Sequence, residues 1–257
     1  MDGYEQFKHD VFELTKIDLN AYKEKQMKRR IDTLITSYKI TDYKGFVRKL
    51  RDDEEFLEKF LSYLTINVSE FYRNPDQWKI LESDIFPQLI GKFGNNLKIW
   101  SAACSTGDEP YSLVMALSKY QDLNKISIQA TDIDKQIIAA AKTGVYNVKS
   151  IASVPEIYKS KYFTKVSDSS VMIDEKIKSC VYFKEHNLLS DDYGSGYHLI
   201  VCRNVLIYFT EEAKEVIFKK FYDALAPGGI LFLGATEQIM NYKQIGYDRK
   251  SSFFFEK

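Results

Sequence analysis

The chain is short of the residues that most often declare a chemistry. Cys104, Cys180 and Cys202 stand far apart with no paired spacing. That excludes a disulfide framework and a cysteine zinc site, and it fits a reducing compartment. His9, His186 and His198 are isolated, so no His or Cys dyad offers a nucleophile and base. No run of about 18 apolar residues occurs, so no membrane span is expected. The first residues, Met1-Asp2-Gly3-Tyr4-Glu5, lack an apolar signal core, and a cytoplasmic protein is expected. Neither charge sign is in excess: 36 Lys and Arg face 36 Asp and Glu. Any nucleic-acid or membrane role must therefore come from a local patch. No internal repeat or low-complexity tract is present. The rest is ordinary for a globular chain of 257 residues, with 45% apolar and 28% charged residues.

Two regions differ in grammar. Up to about Ser69 the apolar residues recur only at helical spacing: Tyr4, Phe7, Val11, Phe12; Met27, Ile31, Leu34, Ile35; Tyr43, Phe46, Val47, Leu50; Phe56, Leu57, Phe60, Leu61, Leu64. These predict four amphipathic helices, with Asp42 and Asp53 as N-caps. After Asn74-Pro75, an N-cap and first helical residue, strands alternate with helices. A helix from Pro75 to about Phe86 leads to a strand at Leu97–Ala102. Further strands are predicted at Ile126–Thr131, Val181–Glu185, Tyr197–Cys202, Ile230–Gly234 and Ser252–Glu256. Helices fall at Tyr111–Tyr120, Lys135–Lys142 and Glu211–Leu225, and Pro227-Gly228-Gly229 reads as a turn. This pattern predicts an α/β fold, a mostly parallel sheet with helices on both faces and an antiparallel last strand. The interval from Gly144 to Cys180 breaks the alternation and reads as a small inserted subdomain, with a helix at Pro155–Phe163 and a strand at Val171-Met172-Ile173.

The most informative stretch is Ile99 to Ser112, where an apolar strand enters a loop of small residues ending in Gly107, Asp108, Glu109 and Pro110. In an open α/β sheet this turn borders the ligand crevice. Small residues let backbone approach a ligand, and Pro110 suits the first helical turn. Two acids there argue against a pyrophosphate. A ligand bearing hydroxyls and a cation fits better, and S-adenosylmethionine (SAM) has both. Asp132 ends the next strand, 25 residues after Gly107. An acid at about that distance commonly holds ribose hydroxyls. Asp134 is the better placed cap for the following helix, which leaves Asp132 for the ligand. After the third strand, the amide of Asn187 can read an adenine edge or simply make a turn.

Other candidates follow from position. Arg203 and Asn204 end a buried strand ahead of another apolar run, so they need polar partners, which the crevice supplies. Tyr208 shares that rim or belongs to the core. Arg73, in Asn67-Val68-Ser69-Glu70-Phe71-Tyr72-Arg73, stands between the two regions in sequence. It can grip a carboxylate in its planar fork or form a salt bridge. From Ala21 to Arg51, ten Lys or Arg face only Glu24, Asp32 and Asp42. Lys25, Lys28 and Arg29 share one face of a helix predicted at Tyr22–Thr36. That face suits an acidic partner better than solvent alone.

Taken together these motifs resemble the chemotaxis receptor methyltransferases, the CheR family. Asn67 to Arg73, Trp100 to Ser112, Thr131 to Asp134 and Cys202 to Phe209 carry the resemblance, which covers essentially the whole chain. It implies a seven-stranded, Rossmann-like SAM-dependent methyltransferase sheet with a helical N-terminal receptor-docking domain at 1–69. The SAM-binding domain is then 70–257, with a small inserted β-subdomain at about 144–180. It implies methyl transfer from SAM to glutamate side chains on the cytoplasmic helical bundle of chemoreceptors, giving glutamate methyl esters and S-adenosylhomocysteine. By the same resemblance Asn67, Ser69, Arg73, Glu109, Asp132, Asn187, Leu188, Arg203 and Asn204 line the cofactor site, and Tyr208 and Arg73 lie nearest the methyl group.

The chemistry is consistent with that acceptor. A glutamate carboxylate has a pKa of about 4.3 and is already ionised at neutral pH, so no general base is required. Neither a metal nor nucleic acid is expected, and the chain is expected to be a monomer. Arg203-Asn204-Val205 replaces the Asn/Asp-Pro-Pro-aromatic sequence common in nucleobase amino methyltransferases. The competing readings are a nucleic-acid methyltransferase using the basic helix and a non-catalytic SAM sensor. Some family members grip a receptor peptide with the insertion. Here the insertion has no glycine between Gly144 and Gly194, so its loops are expected to suit such a tether poorly.

Overall fold

A computed structural model describes residues 3–257. It divides into two compact units. The first comprises the chain up to Ile66 together with Tyr208–Val216. It contains α1 (Tyr4–Thr15), α2 (Glu24–Ser37), α3 (Tyr43–Asp52) and α4 (Glu54–Leu64). The caps expected from sequence form: Asp42 accepts from the Gly45 N–H and Asp53 from the Phe56 N–H, satisfying orphan donors of the first turns. Inside, Phe7 packs against Tyr43 at 4.9 Å between ring centroids, and Phe46 against Phe60 at 5.4 Å. Burying each such ring contributes roughly 1.5–3 kcal/mol.

The second unit begins at Asn67. Its first helical run is longer than the predicted Pro75–Phe86. Helix α5 (Pro75–Ile80) passes through a π-turn, Leu81–Ile85, into α6 (Phe86–Phe93). Pro87 explains the widening: proline lacks an N–H and clashes with the preceding turn. The Phe86 N–H accordingly bonds the Leu81 carbonyl, five residues back.

The sheet elements follow in order: β1 (Ile99–Ala102), α7 (Asp108–Leu117), β2 (Ile128–Asp132), α8 (Lys135–Thr143), then β3 (Val145–Asn147), α9 (Glu156–Tyr162), β4 (Phe163–Lys165), β5 (Ser170–Ile173) and α10 (Glu175–Lys178). After these come β6 (Val181–Glu185), β7 (Tyr197–Cys202), α11 (Glu211–Ala224), β8 (Leu225–Leu233), α12 (Tyr242–Ile245), β9 (Asp248–Arg249) and β10 (Phe254–Glu256). Seven strands make the main sheet, in the order β6-β2-β1-β7-β8-β10-β9. The first five run parallel, and β10 is antiparallel to β8. All four residues of β1 are buried, as expected of a parallel strand covered on both faces. The fold is thus the mostly parallel α/β sheet with an antiparallel last segment that the sequence predicts.

Two local expectations need correction. Pro227-Gly228-Gly229 is not a turn before a strand but an irregularity within β8. The register with β7 shifts between Tyr197 and Leu199, and a Cβ at Gly229 would lie 2.6 Å from the Tyr197 carbonyl. The missing glycine of the insertion does not prevent tight turns either. The insertion forms a second, antiparallel sheet, β3-β5-β4. Ser167-Asp168-Ser169 connects β4 to β5, with the Val166 and Ser167 N–H groups both bonding the Ser170 carbonyl. Ser and Asp supply the turn chemistry that glycine was expected to supply.

Candidate functional site

The parallel strands β2, β1 and β7 end side by side, and their outgoing loops build the candidate site. Leaving β1, the backbone is left-handed at Ala103, Ser105 and Gly107. Gly107 is required there by packing: an added Cβ would lie 3.0 Å from both Ala141 and the Tyr111 ring. The two acids of the first turn of α7 point into the protein. Asp108 is 1% exposed and accepts from the Thr106 hydroxyl, and burial pushes its carboxyl up. Glu109 accepts from the Ser101 hydroxyl at 2.8 Å, and burial raises its carboxyl as well, against the pull of Arg203. The Ser105 Oγ is buried without a hydrogen-bond partner among the described residues, a polar atom left over beside this loop.

Asp132 is not left unengaged by Asp134. Its two oxygens accept from the Ser105 N–H at 2.8 Å and the Asp134 N–H at 3.1 Å. Asp134 is the helix cap, accepting from Gln136 and Ile137. A carboxylate has about four lone-pair directions, and with the Ile133 N–H also acting on it, Asp132 keeps capacity for a further donor. Burial pushes its carboxyl up to about 6.

Arg203 finds its partners within the protein rather than in an open crevice. It is 7% exposed. Its Nη2 donates to the Arg73 carbonyl and to Gln77 Oε1, each at 2.7 Å, and lies 3.3 Å from Asn74 Oδ1. Nη1 lies 3.6 Å from Glu109. The guanidinium also sits 4.7 Å from the centre of the Phe232 ring. Asn204 follows with a left-handed backbone, φ 62°.

The segment from Asn67 to Arg73 lies along this same unit. Asn67 donates to Asp134 at 3.0 Å. Ser69 hydrogen-bonds the Asp108 carboxylate. The Phe71 N–H bonds the Ser150 carbonyl, and the Tyr72 N–H bonds Ser112 Oγ. The Arg73 guanidinium donates to the Val68 carbonyl at 3.0 Å. After β6, His186 hydrogen-bonds the Asp132 carbonyl through its backbone N–H. Asn187 accepts the Leu189 N–H on its Oδ1. Leu188 is buried, and its carbonyl accepts the Tyr193 hydroxyl.

Asn67, Ser69, Arg73, Glu109, Asp132, Asn187, Leu188, Arg203 and Asn204 therefore all belong to the α/β unit. Tyr208 does not: it belongs with the helical unit, where its carbonyl accepts the Lys23 N–H at 2.9 Å. Lys25 and Arg29 are exposed on α2. Lys28 is two-thirds buried, bonded to Asp32 at 2.8 Å and near the faces of Tyr4 and Tyr43. The hydrogen bond to Asp32 raises its ammonium pKa.

Sequence reasoning missed Glu237. This carboxylate is 4% exposed and accepts three backbone N–H groups, from Asn204, Leu206 and Gly234. The only signal was an acid three residues past the end of an apolar strand, between exposed Thr236 and Gln238.

Comparison with known proteins covers both regions. Residues 2–65 match the all-alpha domain of the CheR methyltransferases, and residues 67–252 match their SAM-binding domain. A chemotaxis protein methyltransferase of Listeria innocua is 40% identical over 241 residues, spanning 94% of this chain and 92% of the relative. One of Borreliella burgdorferi is 31% identical, spanning 90% of this chain and 86% of the relative. Chemotaxis protein methyltransferase 1 of Pseudomonas aeruginosa is 33% identical over 88% of this chain. With both domain types present in order along nearly its whole length, the chain belongs to the CheR family of SAM-dependent methyltransferases.

Proposed function

We propose that this methyltransferase esterifies glutamate side chains on the cytoplasmic helical bundle of chemoreceptors, for adaptation in chemotaxis. The observation that carries the proposal is the exposed, basic face of α2, Lys25 and Arg29, in a chain whose relatives are chemotaxis protein methyltransferases. The domain assignment made from sequence enters with it: 1–69 for docking, 70–257 for SAM, and about 144–180 as an inserted subdomain. The proposal also places the enzyme in the cytoplasm, as a monomer with no nucleic-acid partner.

The α/β unit fits a nucleoside that carries hydroxyls. Asp132 retains acceptor capacity, and Ser105 Oγ is a buried hydroxyl without a partner among the described residues. In this reading Asp132 holds the ribose, while Asn187 and Leu188 border the adenine. Asn67, Ser69, Glu109, Arg203 and Asn204 shape the remainder. When bound, SAM supplies the methyl group, and its sulfur keeps the electron pair of the bond that breaks. The protein's task is alignment and exclusion of water. An ionised glutamate already carries its nucleophilic electron pair, so no residue has to remove a proton and no metal is assigned. Holding the carboxylate oxygen behind the methyl carbon makes the step effectively unimolecular. Because carboxylate and sulfonium charges cancel as the ester forms, a dry site favours the product side. Arg73 and Tyr208 are assigned to the acceptor carboxylate, through a planar donor fork and a hydroxyl.

The test is to mix the protein with methyl-labelled SAM and chemoreceptor-containing membranes. Base-labile label released as methanol is the expected result. Label stable to base, or label appearing in added RNA or DNA, would reject the ester assignment.

A further inference from the structure

Glu237 is a buried acid with no basic group within 4 Å among the described residues, and the Arg203 guanidinium is the cation that feels its charge. Its Oε2 accepts the Asn204 N–H at 2.7 Å and the Gly234 N–H at 2.9 Å. Its Oε1 accepts the Leu206 N–H at 2.7 Å. Burial pushes its carboxyl up, while hydrogen bonds from the Asn204, Gly234, Leu206 and Val205 N–H groups pull it down. An acid buried without a counter-ion in contact is costly unless its oxygens are hydrogen-bonded, and charge-assisted bonds of this length are the strong kind. The bonds converge on one place. Asn204 and Leu206 lie in the segment that follows the end of β7, and Gly234 follows the end of β8. One carboxylate therefore fastens the ends of two neighbouring parallel strands.

The surrounding backbone is shaped to admit it. Asn204 takes a left-handed conformation, φ 62°, which asparagine tolerates better than most residues. A Cβ on Gly234 would lie 2.6 Å from Glu237 Oε2 and 2.9 Å from the Asn204 nitrogen, so only glycine leaves room for the carboxylate. The loop that carries Glu237 is anchored by alternation: Glu237 and Ile239 are buried, whereas Thr236, Gln238 and Met240 are exposed.

We propose that Glu237 is the positioning residue of the cofactor site. It holds Asn204 and the backbone that follows Arg203 in their ligand-binding arrangement before SAM arrives. The inference rests on the reading that Asn204 and Arg203 line that site. Glutamine is the informative replacement. It matches glutamate in size but keeps one acceptor oxygen, and its NH2 would face a backbone N–H.

Calorimetry with S-adenosylhomocysteine on the full chain tests the idea, alongside methylation kinetics. Glu237→Gln should weaken binding roughly tenfold, the scale of one lost charge-assisted bond. It should raise the KM for SAM by a similar factor and leave the KM for receptor unchanged. Affinity equal to wild type in a folded variant would overturn the proposal, as would an equal rise in both KM values. Asn204→Ala separates the two readings. If Asn204→Ala leaves affinity unchanged, the site assignment fails; if it weakens binding and Glu237→Gln does not, only the positioning role fails. Amide exchange in the unaltered protein needs no variant to fold. The Asn204 and Leu206 amides should already exchange slowly without S-adenosylhomocysteine. Protection that arises only on adding it would reject a preset arrangement.

Discussion

Asp132, at the end of β2, accepts the backbone N–H of Ser105, in the loop leaving β1, at 2.8 Å. One carboxylate thus joins the outgoing loops of two adjacent strands before any ligand is considered. Its second oxygen holds the Asp134 N–H. A residue read from sequence as a ligand group is therefore also part of the frame. Removing it should have two consequences that can be measured apart.

The first prediction concerns affinity. Asp132→Ala should weaken S-adenosylhomocysteine binding by roughly 1.5–3 kcal/mol, the scale of a hydrogen bond to a charged group. Asp132→Asn keeps the shape and one acceptor, so it should weaken binding less while preserving thermal stability better. Calorimetry and thermal melts on the same samples check this. Unchanged affinity in a folded Asp132→Ala variant would remove Asp132 from the site.

The second prediction concerns pH. Burial lifts the Asp132 carboxyl to about 6, against about 3.9 in an unfolded chain. Between these values the folded state binds more protons than the unfolded state, so this group's contribution to stability falls as pH rises from about 4 to about 6. Ligand hydroxyls prefer the ionised form, so affinity should move the opposite way. Binding should strengthen as pH climbs through about 6 and level off above it. Glu109 and Glu237 are raised by burial too, so the comparison must be with Asp132→Asn. A variant with the same pH dependence as wild type would assign the effect to another acid.

The third prediction isolates the buried ion pair. Arg203 and Glu109 approach to 3.6 Å, with side-chain exposures of 2% and 13%. Removing one partner of such a pair leaves a buried charge uncompensated and costs about 3–5 kcal/mol. Glu109→Ala should destabilise the protein on that scale in chemical denaturation. Arg203→Lys should not restore stability, because a single ammonium cannot reach Glu109, Gln77 and the Arg73 carbonyl together as a planar fork does. A fully stable lysine variant would show that charge alone suffices.

The fourth prediction separates chemistry from binding. If Tyr208 faces the acceptor carboxylate, Tyr208→Phe should lower kcat more than it changes SAM affinity. The backbone bond from Lys23 to Tyr208 is untouched by this change, so a folding defect is not expected. Wild-type turnover would return Tyr208 to a packing role.

The strands themselves were legible because apolar runs such as Ile99–Ala102 and Tyr197–Cys202 lie in the covered middle of the sheet, and burial dictates composition. The caps at Asp42, Asp53 and Asp134 were legible because capping acts over two or three residues. What escaped is non-local. Nothing near Arg203 in sequence announces Gln77 or Glu109 as its partners, and nothing near Glu237 announces Asn204 and Leu206. The π-turn before Pro87 was missed because a helical spacing test does not distinguish a four-residue from a five-residue hydrogen bond. The glycine argument about the insertion failed because Ser167, Asp168 and Ser169 make the same turn by another route.

The last prediction tests the basic helix, and the structure changes which residues should carry it. Spacing puts Lys25, Lys28 and Arg29 on one face, but Lys28 is already committed to Asp32 at 2.8 Å. Asp32 also accepts the Tyr43 hydroxyl. Lys28→Glu would therefore set two acids against each other beside a bonded tyrosine and disturb α2 itself. Lys25 and Arg29 are exposed and have no such commitment among the described residues, so reversing them changes the surface field with little effect on packing. Lys25→Glu and Arg29→Glu should each raise the KM for receptor several-fold at low salt and leave S-adenosylhomocysteine affinity alone. Both should also flatten the dependence of the rate on ionic strength, because salt screens long-range steering between exposed charges. Lys28→Glu should show the same kinetic trend plus a lowered melting temperature. The measurement is methylation rate against receptor concentration at two salt levels, with circular dichroism on every variant. Equal receptor KM for wild type and for both exposed-site variants at low salt would leave the face of α2 merely solvated, and the receptor would have to dock elsewhere.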